Sequence, residues 1–99
     1  MSQIIESACP LCSSLAKCEE HLLRHLKHFK CPVCKEFVIK NRAEQHFGSS
    51  AVQTKEKFSA YCANAPSGMV TLLHFEPNGD GNVPTVVAEY MPLQEAMAR

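Results

Sequence analysis

A chain of 99 residues with zero formal charge, 45% hydrophobic residues and six cysteines has the length of one small domain, and so small a core is marginal without a staple. No apolar run is long enough to span a bilayer, and no glycine-rich phosphate loop, nucleophile elbow or His-Glu-x-x-His pattern points to catalysis. The start, MSQIIESACP, has neither the basic head nor the apolar stretch of a secretory leader, so the thiols are expected to stay reduced and free for a metal, in the nucleus or cytoplasm.

Residues 9–12 read Cys-Pro-Leu-Cys and residues 31–34 read Cys-Pro-Val-Cys. Cysteines separated by two residues can place both sulfurs on one side of a tight turn, about 2.3 Å from one metal ion. After the first turn, Leu22, Leu26 and Phe29 recur at helical spacing, predicting a helix that starts near Lys17 or Cys18. His21, His25 and His28 line the adjacent face. Glu19 and Glu20 suit the positive start of such a helix, Lys27 and Lys30 its end.

After the second turn, residues 35–39 (KEFVI) predict a short strand, Asn41 an N-cap, and Gly48 the end of a short helix. Only Phe29 and Lys30 separate His28 from Cys31, so residues 8–48 are expected to form one rigid unit. Residues 49–99 read as an extension. A helix over 51–65 carries Val52, Phe58 and Tyr61 or Cys62 and is ended by Pro66 and Gly68. Two β-rich runs, 69–75 and 83–91, flank the turn cluster 77–82 as a hairpin, with Pro84 favouring an edge strand. The predicted fold class is small α+β: zinc-stabilised tandem fingers fused without a linker, then a helix and a β-hairpin.

Counting from Cys12, twelve residues precede His25 and two more precede His28, giving C-x2-C-x12-H-x2-H. A strand return and two helical turns would bring these histidines over the first turn, assigning Cys9, Cys12, His25 and His28 to one zinc. His21 with His25 is the alternative pair, but it leaves only eight residues after Cys12. Cys31, Cys34 and, eleven residues on, His46 form a second set. Its fourth ligand is open between Cys62, which requires the chain to loop back, His74, and a water or external residue; Cys62 is preferred. Cys18 reads as a small buried residue.

The first segment resembles the two-cysteine, two-histidine zinc-finger family, which shares the x2 and x12 spacings and the leucine three residues before the first histidine, here Leu22. The histidines here are closer together than is usual in that family, and Ala16 stands in place of its core aromatic. The second segment is similar to the first three ligands of ubiquitin-binding and TRAF-type fingers, whose last cysteine has Ser50 in its place. The resemblance implies zinc as cofactor, and the ligand counts, four well spaced in one set and three with an open fourth in the other, predict one ion held firmly and a second more weakly. It also implies base-facing positions at Cys18, His21 and Arg24.

Between Lys17 and Arg42 seven basic residues (Lys17, Arg24, Lys27, Lys30, Lys35, Lys40 and Arg42) face three acidic ones, while the segment after Gly48 is acidic on balance. Basic charge beside the cysteines predicts a non-enzymatic module that binds the backbone of DNA or RNA in a regulatory role, with no membrane and no small-molecule substrate. The alternative is a protein-interaction adaptor in which zinc is purely structural and the hairpin or the Phe58–Tyr61 surface docks a partner.

Overall fold

The computed structural model describes residues 3–21, 25–48, 51–76 and 85–98. Its frame is a six-stranded sheet of β1 (Gln3–Ala8), β2 (Leu15–His21), β3 (Leu26–Cys31), β4 (Lys35–Lys40), β5 (Val70–Glu76) and β6 (Thr85–Met91), which lie side by side in chain order. The first four strands form an antiparallel meander. β5 then pairs parallel to β4, so the chain must cross over the sheet between them. It does so through α1 (Asn41–Gly48) and α2 (Val52–Ala63); β6 returns antiparallel to β5, and α3 (Leu93–Ala98) follows. Sheet pairing therefore joins β4, before residue 48, to β5, after it.

The helix expected from Lys17 onward is replaced by two strands. Near the cysteine turns their burial alternates: Ala16 and Cys18 are buried while Leu15 and Lys17 are exposed, and Phe29 and Cys31 are buried on either side of exposed Lys30. Cross-strand pairing places Cys18 opposite Phe29 and Phe29 opposite Phe37, whose rings stack 5.2 Å apart. This buried ladder outweighs the local helical preference of a Leu-, Lys- and Glu-rich segment. The strand at 35–40, the helix from Asn41, the helix over 52–63 and the final strand pair all lie where the sequence suggested. β1 and α3 had no sequence expectation. Leu22, Arg24, Ser50 and the turn cluster with Pro84 lie outside the described residues.

The two sheet faces have different covers. On one face, Phe37, Ile39, Phe29 and Leu73 pack with Ala43 and Phe47 of α1 and with Cys62 and Phe58 of α2, and this main core reaches the four cysteines of the two Cys-x2-Cys turns. On the other, Leu26, Val38, Leu72 and Met91 pack with Ala96, Leu93 and Met97 of α3. The β1–β2 end of that second face is charged and exposed, with Glu6 opposite Lys17 and Lys17 opposite Lys30. Among the described residues no helix is long and apolar enough to cross a membrane.

Candidate metal centre

Each Cys-x2-Cys sequence forms the turn of a hairpin, the first joining β1 to β2 and the second β3 to β4. In the first turn the Cys9 N–H donates to the Ser14 carbonyl (2.8 Å) and the Ser13 N–H donates to the Cys9 carbonyl (2.9 Å). In both turns the residue after the second cysteine adopts a left-handed backbone, Ser13 at φ 64° and Lys35 at φ 65°. That conformation costs a non-glycine residue roughly 1–2 kcal/mol, so its repetition marks the same turn built twice.

The pairing of β2 with β3 sets these turns side by side. The sulfurs of Cys9, Cys12, Cys31 and Cys34 all lie within 4.8 Å of one another, with Cys9 to Cys34 at 3.7 Å and Cys12 to Cys31 at 3.3 Å. A tetrahedron of sulfurs at about 2.3 Å from a central ion has edges of about 3.8 Å, so the observed spacing fits one four-thiolate ion. All six cysteines are unbridged. Four sulfur donors suit a soft or borderline ion such as zinc or iron.

The electrostatics of the group follow from its burial. Burial pushes the Cys9 thiol up to about 12, while the backbone N–H groups of Leu11 and Cys12 pull it the other way. Cys34, fully buried, is driven upward by burial against the hydroxyl of Ser59. Burial acts on Cys12 too, but hydrogen bonds from Ser14 and from Cys31 and Cys34 outweigh it and bring the thiol down to about 7. Cys12 is thus the easiest of these three thiols to deprotonate, and an incoming cation displaces protons from the others.

Ligand spacing along the chain divides these cysteines between two sites, whereas the structure brings them together in one group, with no histidine in it among the described residues. His25 is exposed at the start of β3, with φ 55°. His28 is buried against Glu36, Nε2 to Oε2 2.6 Å. His46 lies on α1 with its ring edge-on to Phe47. Cys62 is buried in the main core on α2, and burial pushes its thiol up to about 12 against the hydroxyl of Thr71. His74, in the chain's His-Phe-Glu triplet, pairs with Glu89 on β6 at 2.7 Å. His21 brings its Nε2 within 2.7 Å of Glu19 Oε1 on its own strand, but without the geometry of a hydrogen bond. The signal that would have found the group is the spacing of the two turns with each other: residues 13–30 make eighteen, hence C-x2-C-x18-C-x2-C, within the range of four-cysteine zinc sites.

The basic residues also separate. Lys17, Lys30 and Lys35 are exposed around one open concavity of about 600 Å³, shared with Glu6 and Glu36. Lys27 is on the opposite face in an ion pair with Glu44 at 2.9 Å. Lys40 ends β4 half-buried, Arg42 is exposed on α1, and Arg24 lies outside the described residues. Comparison with protein families, with curated proteins and with solved structures gave no match for this chain.

Proposed function

We propose that the chain is a non-enzymatic binding module in which one structural zinc, held by Cys9, Cys12, Cys31 and Cys34, fastens two hairpins together, and that its ligand is the phosphate backbone of DNA or RNA. Four thiolates complete a tetrahedral zinc and leave no position for a reacting water, the arrangement of structural rather than hydrolytic sites. The observation carrying the ligand assignment is the convergence of Lys17, Lys30 and Lys35 on one concavity. Three lysines there face two carboxylates, Glu6 and Glu36, which leaves an excess of cationic side chains around the concavity.

Three phosphate contacts would give a slope of log K against log salt of about −2.7 on duplex DNA. The test is fluorescence anisotropy with unrelated duplexes and single strands over a salt series, using the full chain and its Lys17→Gln, Lys30→Gln, Lys35→Gln triple variant. The reading requires similar affinities across sequences and a triple variant with most of the slope removed. Binding that is absent, or insensitive to salt, refutes it.

A second reading has one observation in its favour. β1 is an edge strand, its Ile4 and Ile5 are 65% and 38% exposed, and an open apolar edge can accept a strand from a protein partner. Capture of a partner that is abolished by Ile4→Lys, together with no salt-sensitive nucleic-acid binding, would move the function to an adaptor.

A further inference from the structure

α2 has few means of holding itself in place. Its N-cap is Ala51, with no side-chain hydrogen bond, and it has no acidic residue in its first turn and no basic residue in its last. Dipole and N-terminal capping contributions, worth a few tenths to about one kcal/mol each, are therefore missing, while at the other end the Asn64 side-chain amide donates to the Ala60 carbonyl at 2.8 Å. Of its twelve residues only Cys62 is fully buried. The remaining attachments are specific ones: Phe58 edge-on to Phe47 at 5.0 Å, Tyr61 stacked on Tyr90 at 4.2 Å, and the Tyr90 hydroxyl donating to the Tyr61 carbonyl at 2.8 Å.

One attachment leads to the metal centre. The Ser59 Oγ lies 2.9 Å from the Cys34 Sγ. A metal-bound sulfur is a thiolate, with no proton to give, so the hydroxyl must be the donor. Hydrogen bonds to an ionised acceptor are about twice as strong as neutral ones, and the metal also fixes the position of that acceptor. α2 in turn forms one wall of a groove of about 460 Å³ whose other wall includes Leu11, Cys12 and Val33 of the two cysteine turns.

We propose that Ser59 donates to the Cys34 sulfur from outside the coordination sphere of the bound metal, and that metal occupancy thereby sets how firmly α2 is held against the cysteine turns. The inference rests on the single-site metal reading above. It makes Ser59 a positioning residue, and it makes the groove between α2 and the turns a feature of the metal-loaded protein.

The test is backbone hydrogen exchange over 52–63 in the full chain, with zinc and after chelation, for wild type, Ser59→Ala and Ser59→Thr, together with zinc affinity by chelator competition. In the zinc-loaded state Ser59→Ala should exchange about tenfold faster over α2 than wild type, in line with loss of one charge-assisted bond, and the two should match once zinc is removed. Alanine favours helix over serine, so intrinsic propensity would push the result the other way. Zinc affinity should fall about tenfold or more in Ser59→Ala, and Ser59→Thr, which keeps the hydroxyl, should restore both quantities. Zinc uptake with unchanged affinity and unchanged α2 exchange in Ser59→Ala overturns this inference alone. A wild-type chain that takes up no zinc overturns the metal reading, and the inference with it.

Discussion

The decisive perturbation is removal of one sulfur from each turn in separate variants, Cys12→Ser and Cys31→Ser. In a four-thiolate site shared by both turns, either change removes the same ion, because the two sulfurs lie 3.3 Å apart in one group. Had each turn its own histidine partners, either variant would keep one ion. The stabilisation at stake follows from mass action: free zinc at a thousand times its dissociation constant stabilises the fold by about 4.1 kcal/mol. In a domain of this length each kcal/mol moves the melting midpoint by about 4–8 °C, so chelation should lower it by roughly 15–30 °C. Native mass spectrometry should give one zinc per wild-type chain, none in either variant, and one in His25→Ala and His46→Ala. Calorimetry should place both cysteine variants near the chelated wild type. Two zincs in wild type, or one retained in each cysteine variant, would refute the shared site.

Other consequences can be measured on the same material. Burial raises Cys18 to about 11 and Cys62 to about 12. The metal-free fold therefore keeps protons that the unfolded chain releases above about pH 9, so its stability should decline from pH 9 towards 12; a flat urea midpoint across that window would contradict the burial of these thiols. Phe47→Ala, which empties the space between α1, α2 and the sheet, should cost about 3–5 kcal/mol in urea unfolding. Lys27→Gln should cost no more than about 1 kcal/mol, since its pair with Glu44 is partly exposed. It should also leave the salt slope of nucleic-acid binding unchanged, unlike replacement of Lys17, Lys30 and Lys35.

The later part of the fold was legible because its local signals agree with one another. Phe37, Val38 and Ile39 are aromatic or β-branched, Asn41 and Gly48 bracket a helix, and two β-rich runs flank a turn cluster. Earlier in the chain the signals conflict. Leu26 and Phe29 fit a helical stripe, but three residues apart in a strand they serve opposite cores, Leu26 with α3 and Phe29 with α1 and α2. A strand covered on both faces loses the clean alternation that would have announced it. β1 offers Ile4 and Ile5 to opposite faces of an edge, and the six-residue α3 owes its place to packing of Ala96, Leu93 and Met97 on the sheet. Neither leaves a periodic trace long enough to read.

The misplaced helix and the divided metal ligands have one cause. A helix from Lys17 to Lys30 would carry its end about 20 Å from its start, at 1.5 Å per residue. The second cysteine turn would then stand far from the first, and each would have to find histidines nearby. An antiparallel hairpin over the same residues does the reverse. Pairing Lys17 with Lys30 returns the chain to its starting end, and because β2 begins just after the first turn and β3 ends at Cys31, both turns arrive at the same end of the sheet. Once the ladder of Cys18, Phe29 and Phe37 selects strands over helix, the four sulfurs meet with no ligand needed beyond the two cysteine turns. The choice of ligands is thus a consequence of strand register, a non-local property, and the eighteen-residue interval between the turns is the length of chain a hairpin needs to leave and come back.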